Sequence, residues 1–475
     1  MDSPKFQSPF TWEIDDEFAL NFDDSELETG EELPFYNFMH SIMATFIYAT
    51  KGDYNAAKNN FSTMDDLWNL VDQGQLEGEQ VSVDTVNHIL QSTKYHVLLK
   101  LQDFMGEENI SREELKRVEP SVSVTNISTL NGCKSIAWSI FHETGMEKAI
   151  TFARLASLGN QRCSLWHFVL GKNLRRFRRE TAFSTNPSQK EVNSFLKAYE
   201  IHRNPLYGIY LSQTYSENNQ NERSKEVYMK VFREKPESIK IQLRLALCFL
   251  RAMDLPKAKL CLDYVEQYTS DSTMYLHYRG KYYKKLDDYE RAALYLKEAS
   301  KLGVFGADLE YGQCMSKIYP DFDQIVHLLY MEKRFRHNKV YLQNIYLHIG
   351  MESYDIKKYE KSLKYFALAV KLIPSSKILQ RFYYKSIFKL YNIFDFVNGT
   401  LVPEYKSAVN NQDLPIQSVQ YLEKINNIHA QKMLQPSNNT DENNEILLTD
   451  ETNARSKVIL FFFLSIVLII SWIVY

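Results

Sequence analysis

Glycine and proline are scarce in this chain, at 16 and 13 of 475 residues. That scarcity, beside abundant Leu, Tyr, Phe and Lys, suits an all-helical protein rather than one built from many tight turns. Cysteine is scarcer still. The five thiols, at positions 133, 163, 248, 261 and 314, are odd in number and scattered, and no CxxC or HExxH occurs. A disulfide framework and a zinc site are both excluded, which leaves reduced core cysteines and no expected metal or cofactor. There is no GxGxxG, GxxxxGK[ST] or GxSxG, and no nucleophile paired with a base, so no enzymatic activity is expected. The net charge is only −3, which gives no overall attraction to nucleic acid. The first 35 residues hold eleven acids against Lys5 and have no apolar core, so they do not form a secretory leader.

What the chain does have is a period. In "YLHYRGKYYKKLDDYERAALYLKEASKLG", Gly280, Tyr283, Tyr289, Ala292, Leu296 and Ala299 fall at the spacing of a tetratricopeptide repeat. Small residues let two antiparallel helices cross closely, while Tyr283 and Leu296 fill the gaps between them. The small residues Ser224, Ala258 and Ala292 recur at intervals of 34, and Ser362 lies 70 beyond Ala292. That interval leaves room for one degenerate unit around 312–340. Weaker units surround Tyr48–Phe61 and Ala137–Ala156. Units of this kind bury their apolar faces only by stacking, so the expected fold is an all-α tetratricopeptide-repeat superhelical solenoid with a concave surface.

The expected divisions are an acidic arm at 1–35, degenerate units at 36–170, a central and C-terminal solenoid at 171–408, a polar tether at 409–456 and an apolar segment at 457–475. From Val458 to Val474 the only polar side chains are Ser465 and Ser471. Such a run spans about 26 Å as a helix. Arg455 and Lys457 precede it, and Trp472 and Tyr475 lie at its far end. We expect a C-terminal transmembrane tail anchor that holds the body on the cytosolic face of an intracellular membrane, the endoplasmic reticulum rather than the mitochondrial outer membrane.

Positive charge is local. "GKNLRRFRRE" places Lys172, Arg175, Arg176 and Arg179 at i, i+3, i+4 and i+7, one face of a helix, with Arg178 pointing elsewhere. "HYRGKYYKK" interleaves His277, Lys281 and Lys284 with tyrosines. Basic groups pair with phosphates and aromatic faces stack on bases. A solvated face, a partner for the acids at Glu13–Glu17, and simple packing by Tyr283 are the competing readings.

"FTWEI" followed by acids, then "YATKGDYNAAKNNF", resembles the opening of the interferon-induced proteins with tetratricopeptide repeats. "NQNERSKEVYMKVFREKPES" and "STMYLHYRGKYYKKLDDYERAALYLKEASK" resemble that family's central repeats. The likeness spans roughly 8–65 and 160–375. It implies an innate-immune, antiviral effector that holds the 5′ end of single-stranded RNA in a positively charged tunnel. By position, the family's phosphate-binding Arg looks like Arg176, with Arg175 beside it. The aromatic after Asn-Pro looks like Tyr207, and the basic positions of the central repeat look like His277, Lys281 and Lys284. The family's early Arg and Gln have no counterpart here. A membrane-tethered scaffold, or a cochaperone or biogenesis adaptor, that grips protein partners in the same groove is the alternative reading.

Overall fold

Each repeat closes through the same local chemistry. In the unit formed by helices Thr273–Lys285 and Tyr289–Lys301, Ser272 caps the first helix by accepting from the Tyr275 amide. Asp288 caps the second by accepting from the Arg291 amide. Between them Asp287 takes a left-handed backbone, φ 58°, and the same turn recurs at Asn219 (58°), Met253 (59°) and Lys357 (58°). The first three of these lie 34 residues apart, so the turn repeats with the period of the small residues. At the crossing a Cβ on Gly280 would lie 2.6 Å from Leu296 Cγ, which is why this position has no side chain. Ala292, Leu296 and Ala299 are fully buried beside it.

This computed structural model describes residues 6–22, 33–105, 110–121, 124, 126–181, 186–384, 389–410 and 413–434. Helix pairs follow one another along the chain: Pro34–Thr50 with Tyr54–Leu70, Ile127–Trp138 with His142–Gly159, Ser164–Thr181 with Gln189–Ile201, and Pro205–Glu217 with Asn221–Arg233. Ile239–Arg251 with Leu255–Glu266, the unit above, Phe305–Ile318 with Gln324–Arg334, and Lys339–Asp355 with Tyr359–Leu372 complete the series. The pair Phe305–Arg334 fills the place of the expected degenerate unit. One continuous apolar core runs from Trp12 to Cys314, and a second joins Leu347 to Ile425. Between them lies a small cluster that includes Leu309, Leu328, Met331, Ile345 and Ile349.

Three expectations are modified. Residues 6–22 of the arm are part of the body: Trp12, Ile14 and Phe22 are buried, and Phe18 and Phe22 pack on Phe141. A two-stranded antiparallel sheet, Phe382–Tyr384 with Lys389–Tyr391, interrupts the helices. The stretch expected as a tether contains the helix Ile416–Leu434, which packs on Tyr359–Leu372. Tyr421, Leu422, Ile425 and Ile428 supply its apolar stripe at helical spacing, among polar residues that disguise it. The expected anchor at 457–475 lies outside the described residues. Among the described residues no helix is long and apolar enough to cross a membrane.

The cysteines are all free and buried. Burial pushes the Cys163 and Cys261 thiols up to about 12 and Cys314 to about 11. They behave as small apolar side chains.

Candidate anion-binding site

The basic helix Ser164–Thr181 packs so that three of its guanidinium groups reach one carboxylate on the next repeat. Glu217 is the last residue of the helix Pro205–Glu217. Arg175 Nη2 donates to Glu217 Oε1 at 2.6 Å, Arg179 Nη2 to the same oxygen at 2.7 Å, and Arg178 Nη2 to Oε2 at 2.6 Å. Arg178 also forks onto Glu191, with Nε–Oε2 at 2.8 Å and Nη2–Oε1 at 3.0 Å. A carboxylate at a helix C-terminus opposes the helix dipole, so Glu217 is costly there without these cations. Burial alone would raise its pKa, but the charges of Arg175 and Arg179 and the hydrogen bond from Arg178 hold it at about 2.

Arg175 is the most enclosed of the three. Its side chain is 6 % exposed, and its Nε and Nη1 are buried without a hydrogen-bond partner among the described residues. Burial draws its pKa down to about 10, against the pull of Glu217, and it remains charged at neutral pH. The guanidinium carbon sits 5.4 Å from the centroid of the Tyr210 ring, and that of Arg244 sits 4.8 Å from the same centroid. Arg244 Nη2 donates to the Tyr210 hydroxyl at 3.3 Å. Two cations therefore share one aromatic ring, and each is attracted by its quadrupole. The helices Pro205–Glu217 and Ile239–Arg251 are the first members of their repeats.

The grouping of the basic residues differs from the expected face. Arg178 joins Arg175 and Arg179, because i, i+3 and i+4 positions converge on Glu217 when the side chains are long. Arg176 instead donates from Nη1 to the Ser139 carbonyl at 2.9 Å. Lys172 places Nζ 3.9 Å from the centroid of Tyr36. Arg175, Arg178 and Arg179 pair with Glu191 and Glu217.

Tyr207 is not placed to stack on a base. It is 1 % exposed, its ring lies on Phe168 at 4.6 Å, and its hydroxyl is 3.5 Å from Glu79 Oε2. Glu79 is also 3.0 Å from His202 Nδ1. The residues expected from the central repeat form a second cluster around buried Glu310. His277 Nε2 is 3.9 Å from Glu310 Oε2, Lys281 Nζ is 3.3 Å from Oε1, and Lys284 Nζ donates to Gln313 at 2.6 Å. Arg279 of that stretch is held by Asp263 and Glu266 at 2.9 and 2.8 Å. Tyr283 stacks on Tyr295 at 5.5 Å and so packs within its repeat.

Sequence reasoning missed Tyr210, Glu217 and Arg244. The period could have found two of them: Tyr210, Arg244 and Tyr278 are 34 residues apart and occupy one repeat position.

The tetratricopeptide repeat pattern matches residues 211–238 and 343–376. The fold resembles human IFIT1. A human IFIT1 dimer with PPP-AAAA matches with a TM-score of 0.56 at 14 % identity, over 90 % of this chain and 94 % of that one. A human IFIT1 dimer with m7Gppp-AAAA matches at 0.54 and 13 %, over 90 % and 98 %. At such identity the likeness shows the fold, an all-helical tetratricopeptide-like solenoid. No curated protein matches the chain by sequence.

Proposed function

We propose that this protein is a non-enzymatic tetratricopeptide solenoid that binds single-stranded RNA by its charged end, as an innate-immune effector. The observation that carries this reading is Arg175: a buried guanidinium with two unpartnered donors, beside a tyrosine shared with Arg244. Buried donors without acceptors are costly, and an anion supplies the missing acceptors. Tyr210 adds an aromatic ring between the two cations. The solved neighbours with similar fold carry PPP-AAAA and m7Gppp-AAAA, which is consistent with this chemistry for the fold. The second cluster, at His277, Lys281 and Lys284, would extend the contact along the strand, with Lys172, Arg176 and Arg179 at its edge.

The apolar run at 457–475 supports a further proposal, that a tail anchor holds this surface on the cytosolic side of an intracellular membrane, that of the endoplasmic reticulum. Resistance of the chain to alkaline extraction from microsomes, lost on removal of 457–475, is the outcome expected; release of the intact chain would count against it.

The binding test uses the full chain in detergent and short RNAs ending in 5′-triphosphate, cap or hydroxyl, at two salt concentrations. Arg176→Glu and Arg244→Ala serve as controls. End-dependent binding that weakens steeply with salt and drops at least tenfold in both variants is expected. Absence of RNA binding by the folded chain would overturn the reading and leave protein partners in the groove as the alternative.

A further inference from the structure

We propose that Glu217 is a resident counter-anion, holding the guanidinium cage until an incoming phosphate replaces it, and so sets the charge a ligand must carry to bind. This deepens the polyanion reading and rests on it. Three observations lead here.

The first is coordination. Both Glu217 oxygens are engaged by the cage, at 2.6 and 2.7 Å from Arg175 and Arg179 and at 2.6 Å from Arg178. Short charge-assisted bonds of this kind are the contacts an Arg cluster makes to a phosphate oxygen. A carboxylate offers two oxygens; a terminal phosphate offers three. Arg175 still has Nε and Nη1 buried and unpartnered. The cage thus has more donors than its resident acceptor can use.

The second is charge. Arg175, Arg178 and Arg179 face Glu191 and Glu217, three guanidinium groups on two carboxylates, and Arg244 lies across the Tyr210 ring from Arg175. A chloride ion or a peptide carboxylate entering this site does no more for the cage than Glu217 already does. A multiply charged phosphate end brings both extra charge and extra acceptors. Discrimination against weak anions follows from the resident carboxylate.

The third is release. Glu217 is one-fifth exposed and Arg179 about half exposed, whereas Glu191 is 1 % exposed. One carboxylate of the pair can turn to water and the other cannot. Its place at the C-terminus of Pro205–Glu217 works against it electrostatically, which favours departure once another anion holds the arginines.

The test compares wild type with Glu217→Gln, as the full chain in detergent, titrated with inorganic pyrophosphate at constant ionic strength made up with chloride. Calorimetry and thermal melting supply the readouts. The variant should melt lower than wild type in chloride, bind pyrophosphate at least tenfold more tightly, and regain its melting temperature as pyrophosphate is added. Equal or weaker pyrophosphate binding by the folded variant overturns the proposal. If Glu217→Gln does not fold in chloride, refolding in pyrophosphate at the same ionic strength supports the proposal, and failure in both media overturns it. RNA binding by wild type with no gain in the variant removes this inference alone. Wild type that binds neither RNA nor pyrophosphate removes the RNA reading as well.

Discussion

Replacing Arg178 by Met would isolate the buried part of the cage. Glu191 is 1 % exposed and receives two side-chain hydrogen bonds from Arg178, at 2.8 and 3.0 Å. Glu217 would keep Arg175 and Arg179. The change therefore removes two charge-assisted bonds to Glu191 and one to Glu217. At about 1.5–3 kcal/mol each these would sum to more than 4 kcal/mol, but such terms are not additive. The dominant cost is the carboxylate left buried without a cation, which places the loss at about 3–5 kcal/mol. The double variant Arg178→Met/Glu191→Met removes both charges and should recover most of that loss, since a buried ion pair and an apolar pair are often close in stability. Equilibrium urea unfolding followed by circular dichroism, with the slope checked for constancy, measures each variant. A single variant within about 1 kcal/mol of wild type, or a double variant no better than the single, would refute the reasoning.

Three more outcomes are expected. The folded pKa of Glu217, about 2, lies below its ordinary 4.5, so its contribution is complete above pH 4.5 and is lost as pH falls toward 2. The shift corresponds to about 3 kcal/mol, and Glu217→Gln should flatten that acid limb of a stability–pH curve. Gly280→Ala brings a methyl 2.6 Å from Leu296 Cγ and should cost about 1–3 kcal/mol in thermal melting; Leu296→Ala in the same chain should relieve the clash. Arg244→Ala should lower RNA affinity and reduce the slope of log affinity against log salt by about one, which a salt titration of binding checks.

The repeat was legible in the sequence because its determinants are local and periodic. Ser224, Ala258 and Ala292 report helix crossings, and nothing distant alters where a small side chain is required. The site was legible only in part. The basic run named Arg175 and Arg179, yet Arg178 was assigned to another face, although as i+3 from Arg175 it is a helix-surface neighbour and reaches the same carboxylate. Tyr207 looked available because Asn204-Pro205 precedes it, but Phe168 and Glu79 take both its ring and its hydroxyl. Glu217 carried no local signal at all, since its importance comes from three arginines about forty residues earlier in the chain. The helix Ile416–Leu434 was hidden by its polar composition, because packing against Tyr359–Leu372 rather than intrinsic hydrophobicity holds it.

The division of the interior has a mechanical consequence. The long core ends at Cys314, the last begins at Leu347, and among the described residues a small cluster couples them. A stack of this kind transmits load from neighbour to neighbour, so its strength is that of its weakest junction. Tension applied through the C-terminal end would part the chain near Phe305–Arg334, and the guanidinium cage, some ninety residues upstream, would stay assembled while the segment below it unravelled.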